Sequence, residues 1–330
     1  MRFIKSAALA ALTLAAPPLT AQEITLYSGR GEPLIAPIIE AFTAETGITV
    51  NVRYGGTAEL AILLQEEGDR SPADLFWAQD AAALGAVAGM FQPLPEATLM
   101  QVPAAYRDDE GRWIATSGRG RVLAYSTERL GEDEVPATMA DLTDPIYSGR
   151  IALPVTNGSF LAHVTALRVT QGDDAALDWL RGIAANDPVM VSNNTAAIQA
   201  IGDGEADLAV TNNYYLVRFK RAASDFPVSQ RLFPTEGDIG NLLLVAGMGV
   251  LASSQNSDDA VAFIDFLLSD SSQEFFGGEV AEFPVTGRVS PERDDDISLE
   301  EVIRMAPDVD LNTIGDLEGT LELVREAGLL

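Results

Sequence analysis

Residues 23–80 read EITLYSGRGEPLIAPIIEAFTAETGITVNVRYGGTAELAILLQEEGDRSPADLFWAQD. The stretch alternates between two periodicities. EITLYSG (23–29) is an apolar-rich strand that ends in a turn. EPLIAPIIEAFTAETG (32–47) has helical spacing, with Leu34, Ile38, Ile39 and Phe42 on one side and Gly47 as the stop. ITVNVRYGG (48–56) is a second strand, TAELAILLQEEGDRSP (57–72) a second helix and ADLFWAQD (73–80) a third strand. Strand–helix–strand–helix–strand implies an α/β fold with a parallel sheet and helical crossovers. Ligands of such sheets sit beyond the carboxyl ends of the strands. Here those ends are Ser28–Glu32, Tyr54–Thr57 and Gln79–Ala81, and they carry most of the polar residues of this half.

The tract WIATSGRGRVLAYSTERL (113–130) breaks the alternation. It is a long strand whose Gly118 and Gly120 permit bends, as a connection between lobes requires. GRIALPVTNGSFLAHVTALRV (149–169) then gives a strand, a polar turn and a helix. The backbone N–H groups of Asn157, Gly158 and Ser159 at that helix start suit an anion, and the same residues suit simple capping. VMVSNNTAAIQAIGDGEADLAVTNNYYLVRF (189–219) repeats the pattern: SNN before one helix, ADLAV as a strand, TNN before another helix. NLLLVAGMGVLASSQN (241–256) is a second long strand, returning toward the first half. Two amphipathic helices follow, in SDDAVAFIDFLLSDSSQEFFG (257–277) and in the tail GDLEGTLELVREAGLL (315–330). No solenoid period or low-complexity linker interrupts the chain.

The expected architecture is a type II-like two-lobe binding protein, with two hinge-crossing strands and a ligand cleft between the lobes. Residues 22–120 with 246–295 form the N-terminal lobe. Residues 121–245 with 296–330 form the C-terminal lobe.

Composition excludes several function classes. The 330 residues contain no cysteine and one histidine, His163. Thiolate zinc sites, disulfide frameworks and histidine-rich metal sites are therefore excluded. Enzymatic use of His163 in a Ser-His-Asp arrangement lacks a nucleophile motif such as G-x-S-x-G, so the chain is not expected to be an enzyme. The net charge of −28 opposes nucleic-acid partners and anionic lipid. MRFIKSAALAALTLAAPPLTAQE opens the chain with a basic start, an apolar run and a small-residue site before Gln22. That pattern predicts a signal peptide over 1–21 and a periplasmic mature protein. No cysteine follows for a lipid anchor, and no later segment is long and apolar enough to span a bilayer.

TNNYYLVRFK (211–220) places Tyr214 and Tyr215 side by side just after a polar corner. At a strand-to-helix corner both rings can reach one small object, with Asn212 and Asn213 as caps. A phenol is a poor ligand while protonated, with a pKa of about 10. A trivalent hard cation displaces that proton, whereas calcium and magnesium recruit carboxylates. The pair therefore suits ferric iron. It equally suits packing at a lobe edge, or a stacking wall for an organic ligand.

Four stretches, ITLYSGRGEPLIAPIIEAFTAETGITV, EEGDRSPADLFWAQDAAALG, TSGRGRVLAYSTERL and GEADLAVTNNYY, together resemble the periplasmic ferric-ion-binding proteins, the bacterial transferrins of iron ABC importers. The resemblance runs over nearly the whole mature chain. It implies that Tyr214 and Tyr215 are phenolate ligands of Fe³⁺ and that a carbonate-like anion shares the cleft. Asn212, Asn194 and the Asn157–Gly158–Ser159 turn fall where the family contacts that anion. The implied partners are an inner-membrane permease and its ATPase, and the expected state is a monomer. A different solute in the same fold, such as a polyamine, thiamine or a phosphonate, is the competing expectation.

Two positions depart from the family's best-known pattern. Gly31 and Gln79 stand where many members carry a histidine and a glutamate. The sequence thus looks like the histidine-free, tyrosine-rich branch. Tyr54, at the end of the second strand, is the expected third phenolate. Asp80 is expected as an oxygen ligand or a neighbour of the anion. Arg30 is expected to hold a carbonate by paired hydrogen bonds.

Overall fold

The computed structural model describes residues 22–131, 133–290 and 297–330. The expected signal peptide, 1–21, lies outside the described residues.

The first half follows the sequence pattern. Strand β1 (Glu23–Ser28), helix α1 (Glu32–Thr46), β2 (Thr49–Tyr54), α2 (Thr57–Glu67), β3 (Leu75–Ala78) and α3 (Ala81–Ala86) succeed one another. Helix α1 begins with proline in its first turn and ends where Gly47 turns left-handed, at φ 77°, and donates its N–H to Thr43 O. Its buried face is Leu34, Ile35, Ile38, Ile39 and Phe42. This is the predicted apolar stripe, one residue wider. β1 pairs parallel with β2 and β3, with Leu26 opposite Val52 and Leu75. All four residues of β3 are buried, as befits a strand covered on both faces.

A short α4 (Glu96–Leu99) leads to β4 (Trp113–Ser126), the longest strand. Then come β5 (Ala152–Leu153), α5 (Gly158–Gln171), α6 (Asp173–Ala185), β6 (Val189–Met190), α7 (Asn194–Gly202), β7 (Leu208–Asn212), α8 (Tyr214–Ala222) and β8 (Val228–Arg231). β9 (Leu243–Val250), α9 (Ser257–Leu267), α10 (Asp270–Gly278), α11 (Leu299–Met305) and α12 (Leu317–Glu326) complete the described helices and strands, short 3-10 turns aside. The main sheet runs β2-β1-β3-β9-β4-β7, with β8 also paired to β4.

β4 changes partners part-way along. From Trp113 to Gly120 it pairs antiparallel with β9, and from Arg121 onward with β7 and β8. β9 in turn pairs with β3. Two long strands thus carry the chain between the β1–β3 half and the β7–β8 half, as the glycine-bearing tracts predicted. Helix α12 packs on α5 and α6 and touches α3.

Candidate functional site

The carboxyl ends of β1, β2 and β3 face the starts of α5, α7 and α8 across a cleft of about 510 Å³. Gly29, Thr57 and Gln79 line one wall, and Asn157, Asn193 and Tyr215 the other. This is the place that strand order assigns to a ligand.

Tyr214 and Tyr215 are the first two residues of α8, immediately after β7 and Asn213. Both are buried. Their rings lie 4.3 Å apart, tilted by 30°. Gln79 Nε2 donates to Tyr214 Oη at 3.1 Å, joining the end of β3 to the start of α8. The Arg218 guanidinium lies 5.6 Å from the centre of the Tyr214 ring. Burial, and then the neighbouring Tyr214 phenol, push the Tyr215 pKa above the usual phenol value. A hydrogen bond from Asn194 and the charge of Arg119 act in the opposite direction. Tyr215 therefore favours the protonated state. A cation that binds its phenol oxygen must displace that proton.

The asparagines that precede α8 do not cap it. Asn213 accepts from Gly120 N–H at 3.1 Å and donates to Ala281 O at 3.0 Å. Asn212 accepts from Arg121 Nη1 at 2.9 Å and donates to Ser159 Oγ at 3.1 Å. The expected caps instead tie α8 to β4 and α5. The reason is burial: both amides are fully enclosed and must be satisfied there. Asn157 does cap, with its Oδ1 accepting from Ser159 N–H at 3.0 Å and from Asn194 Nδ2 at 3.3 Å. The turn 157–159, Asn194 and Asn212 are therefore one connected set.

Asp80 caps α3 through Oδ1, which accepts from Ala83 N–H at 3.0 Å. Its Oδ2 has no hydrogen-bond partner among the described residues. Burial raises its pKa, against lowering by the Ala83 amide and Arg119. A Cβ built on Gly158 would stand 2.9 Å from that Oδ2, so glycine is what lets α5 approach α3 so closely.

Arg30 is buried, and its guanidinium is engaged. Nη1 and Nη2 donate to Glu282 Oε1 and Oε2 at 2.7 and 2.8 Å. In this arrangement it balances a protein carboxylate, with its guanidinium plane also 5.8 Å from the Trp77 ring. The expectation of an anion there did not foresee Glu282, whose position no local pattern signals. Tyr54 ends β2, next to the cleft-lining Gly55 and Gly56. It is 39% exposed, its neighbouring charge is Glu32, and it is not among the cleft-lining residues. Gly31 does line the cleft, and offers no side chain to it.

Two further residues belong to the site. Arg119 and Arg121 are fully buried in β4. Arg121 donates to Asn212 Oδ1, to Val210 O at 2.7 Å and to His163 Nδ1 at 3.4 Å. Burial, and then the like charge of Arg119, lower its pKa to about 9. His163 is held neutral, its pKa lowered to about 3 by burial and by Arg121, with Nε2 2.7 Å from Ile239 O. Nε, Nη1 and Nη2 of Arg119 have no hydrogen-bond partner among the described residues. The signal for both was present in SGRGRV: two arginines at a spacing of two share one face of a mostly apolar strand. Among the described residues no group of three or more His, Cys, Asp or Glu side chains is placed to hold a metal. No helix among them is long and apolar enough to cross a membrane.

Residues 70–306 match the family described as bacterial extracellular solute-binding protein. The chain belongs to that family. Relatives of this solute-binding protein carry more specific names. It is 35% identical to the major ferric iron-binding protein of Neisseria meningitidis serogroup A, over 97% of this chain and 96% of that one. It is 32% identical to the Fe(3+)-binding periplasmic protein of Serratia marcescens, over 94% and 91%. Among solved structures, iron-bound HitA from Pseudomonas aeruginosa superposes with a TM-score of 0.87 at 32% identity, covering 93% of this chain and 99% of that one. The two-lobed architecture expected from the strand pattern is thus that of its structural neighbours.

Proposed function

We propose that this solute-binding protein captures ferric iron in the periplasm and hands it to an inner-membrane ABC permease and its ATPase. The observation that carries the reading is the tyrosine pair: two buried phenols, ring to ring at 4.3 Å, of which Tyr215 lines the cleft and Tyr214 accepts from the cleft-lining Gln79. The names of the relatives point the same way. Protonated phenols do not attract divalent hard cations strongly, but Fe³⁺ displaces their protons and binds the phenolates. Two phenolates leave one positive charge of Fe³⁺ unbalanced, and carbonate or a similar anion at the 157–159 turn, Asn194 and Asn212 supplies the rest. Binding exchanges phenol protons for the metal and leaves the cargo chemically unchanged, so the protein acts as a carrier rather than an enzyme.

The partner change in β4 supports the proposed lobes, residues 22–120 with about 246–295 and residues 121–245 with about 296–330, which would rotate about β4 and β9. The test is a visible spectrum. Iron-free protein supplied with ferric iron as a weak chelate develops a phenolate-to-iron charge-transfer band. A colourless protein at saturating iron overturns the reading and favours an organic or oxyanion solute in the same cleft.

A further inference from the structure

The two halves of the molecule also meet outside the cleft. Helix α3 is fixed to the β1–β3 half. Gln65 Nε2 on α2 donates to Ala86 O at its end at 3.1 Å, and Leu84 lies over Gly247 of β9. Helix α12 is fixed to the other half. Thr320 Oγ1 and Thr165 Oγ1 share a buried hydrogen bond of 2.7 Å. Arg168 on α5 donates to Asp316 O and to Thr320 Oγ1, both at 3.0 Å, and Arg181 on α6 pairs with Glu326 at 2.8 Å. Yet the 3-10 turn Leu311–Thr313 and the start of α12 pack on α3, with Leu311 and Ile314 buried. At the end of α3 two glycines set backbone against backbone. A Cβ built on Gly85 would stand 3.1 Å from Gly315 Cα, and one built on Gly315 3.4 Å from the Gly85 carbonyl carbon. Only a residue without a side chain permits that approach at 85. At the other end of the same helix, Asp80 lies against Gly158 of α5, and the neighbouring Gln79 reaches Tyr214.

We propose that the segment 311–317 is a closing latch: its glycine contact with α3, outside the cleft, holds the two lobes together, with Gly85 and Gly315 as positioning residues for cargo capture. This rests on the reading of the chain as a two-lobed carrier, and not on the identity of the cargo. Helix α3 has six residues and is about 9 Å long. A rotation about β4 and β9 that parts Gln79 from Tyr214 carries this short rigid element away from α5 and α12 as a whole. The backbone contact at Gly85 is lost in the same movement. A side-chain carbon at 85 therefore meets backbone atoms in the closed arrangement and finds room in the open one. It disfavours closure and leaves the tyrosines untouched. Cargo affinity follows the closed population.

The chain contains no cysteine, so Ile62→Cys with Arg325→Cys places two nitroxide labels and no others. Ile62 on α2 and Arg325 on α12 are exposed and line a groove of about 470 Å³ between the two halves. Pulsed dipolar spectroscopy reads the distance across it, in iron-free protein and with Ga³⁺ as a diamagnetic trivalent cation. The distance in the labelled parent is expected to shorten on loading. Gly85→Ala is expected to lengthen the iron-free distances and to weaken ferric binding about tenfold, with the wavelength of the visible band unchanged. Gly315→Ala, whose added carbon makes a looser contact, is expected to move both in the same direction and by less. Gly89→Ala adds a carbon with nothing within 4 Å and is expected to match the parent. Parent-like distances in Gly85→Ala overturn the proposal. Tighter ferric binding by Gly85→Ala also overturns it, because the contact would then oppose closure. Should Gly85→Ala fail to fold, a labelled parent that develops the iron band but keeps its iron-free distance when loaded overturns it. If no band forms, the ferric reading fails, while iron-free Gly85→Ala against iron-free parent still decides the latch.

Discussion

Arg30 and Glu282, 252 residues apart in sequence, share two hydrogen bonds of 2.7 and 2.8 Å in the protein interior. The pair joins the turn after β1 to the segment after α10, beside the tyrosines. Both side chains are completely buried. Desolvation opposes each charge, and the partner is the main offset: Arg30 first, then Arg119 and Ser117, hold the Glu282 carboxyl below its usual pKa despite burial.

Removing one partner is therefore far worse than removing both. Glu282→Gln is expected to destabilise the iron-free protein by about 3–5 kcal/mol. The double change Arg30→Met with Glu282→Leu is expected to recover most of that loss. Urea unfolding followed by Trp fluorescence checks it, and a single variant as stable as the parent would refute it.

His163 sets an acid limit on stability. Its pKa is lowered to about 3 in the folded protein, by burial and by Arg121, against about 6.5 in an unfolded chain. Below pH 6.5 the unfolded state takes up a proton that the folded state refuses. The stability due to the neutral imidazole is thus fully present above pH 6.5 and is lost as pH falls toward 3. Between pH 6.5 and 5 the loss amounts to about 2 kcal/mol. It is the only histidine in the chain, so His163→Gln should flatten the dependence in this window. Urea midpoints at the two pH values measure it.

Much of the fold was legible because the first half is locally consistent. Each strand of β1–β3 ends in polar or glycine residues, and each helix carries one apolar stripe. The tyrosine pair was legible for the same reason: adjacency in sequence places both at one corner. Glu282 was not, because its meaning depends on a partner 252 residues away. Arg119 and Arg121 were half-legible, since the spacing of two was visible but burial was not. Asn212 and Asn213 misled, because asparagine before a helix normally caps it, and here tertiary hydrogen bonds compete more effectively.

Gly158 tests whether close approach of the walls matters. A side-chain carbon there would stand 2.9 Å from Asp80 Oδ2. Gly158→Ala forces either Asp80 or the start of α5 to shift, at about 1–3 kcal/mol. Iron affinity is expected to fall about tenfold. Small-angle scattering of the iron-loaded variant should show a larger radius than the loaded parent. Equal radii and equal affinity would show that the walls have slack.

The tyrosines separate coordination from packing most directly. Phe in place of Tyr removes one oxygen and keeps the ring. Loss of an outer-shell partner commonly costs 10–100-fold in metal affinity, so losing a phenolate from the metal itself should cost more than about 100-fold. Tyr214→Phe and Tyr215→Phe are each expected to do so and to bleach most of the visible band. Because burial holds the Tyr215 proton tightly, iron uptake should release protons and strengthen as pH rises through the neutral range. Tyr54→Phe is the contrasting case. The sequence offers Tyr54 as a third phenolate, yet the structure leaves it 39% exposed beside Glu32, not among the cleft-lining residues. With its ring in that exposed position, the band and affinity of Tyr54→Phe are expected to equal those of the parent. A weakened affinity with a shifted band would instead mean that Tyr54 swings into the cleft when iron binds. The anion and Asp80 Oδ2 would then be left with fewer coordination positions to fill.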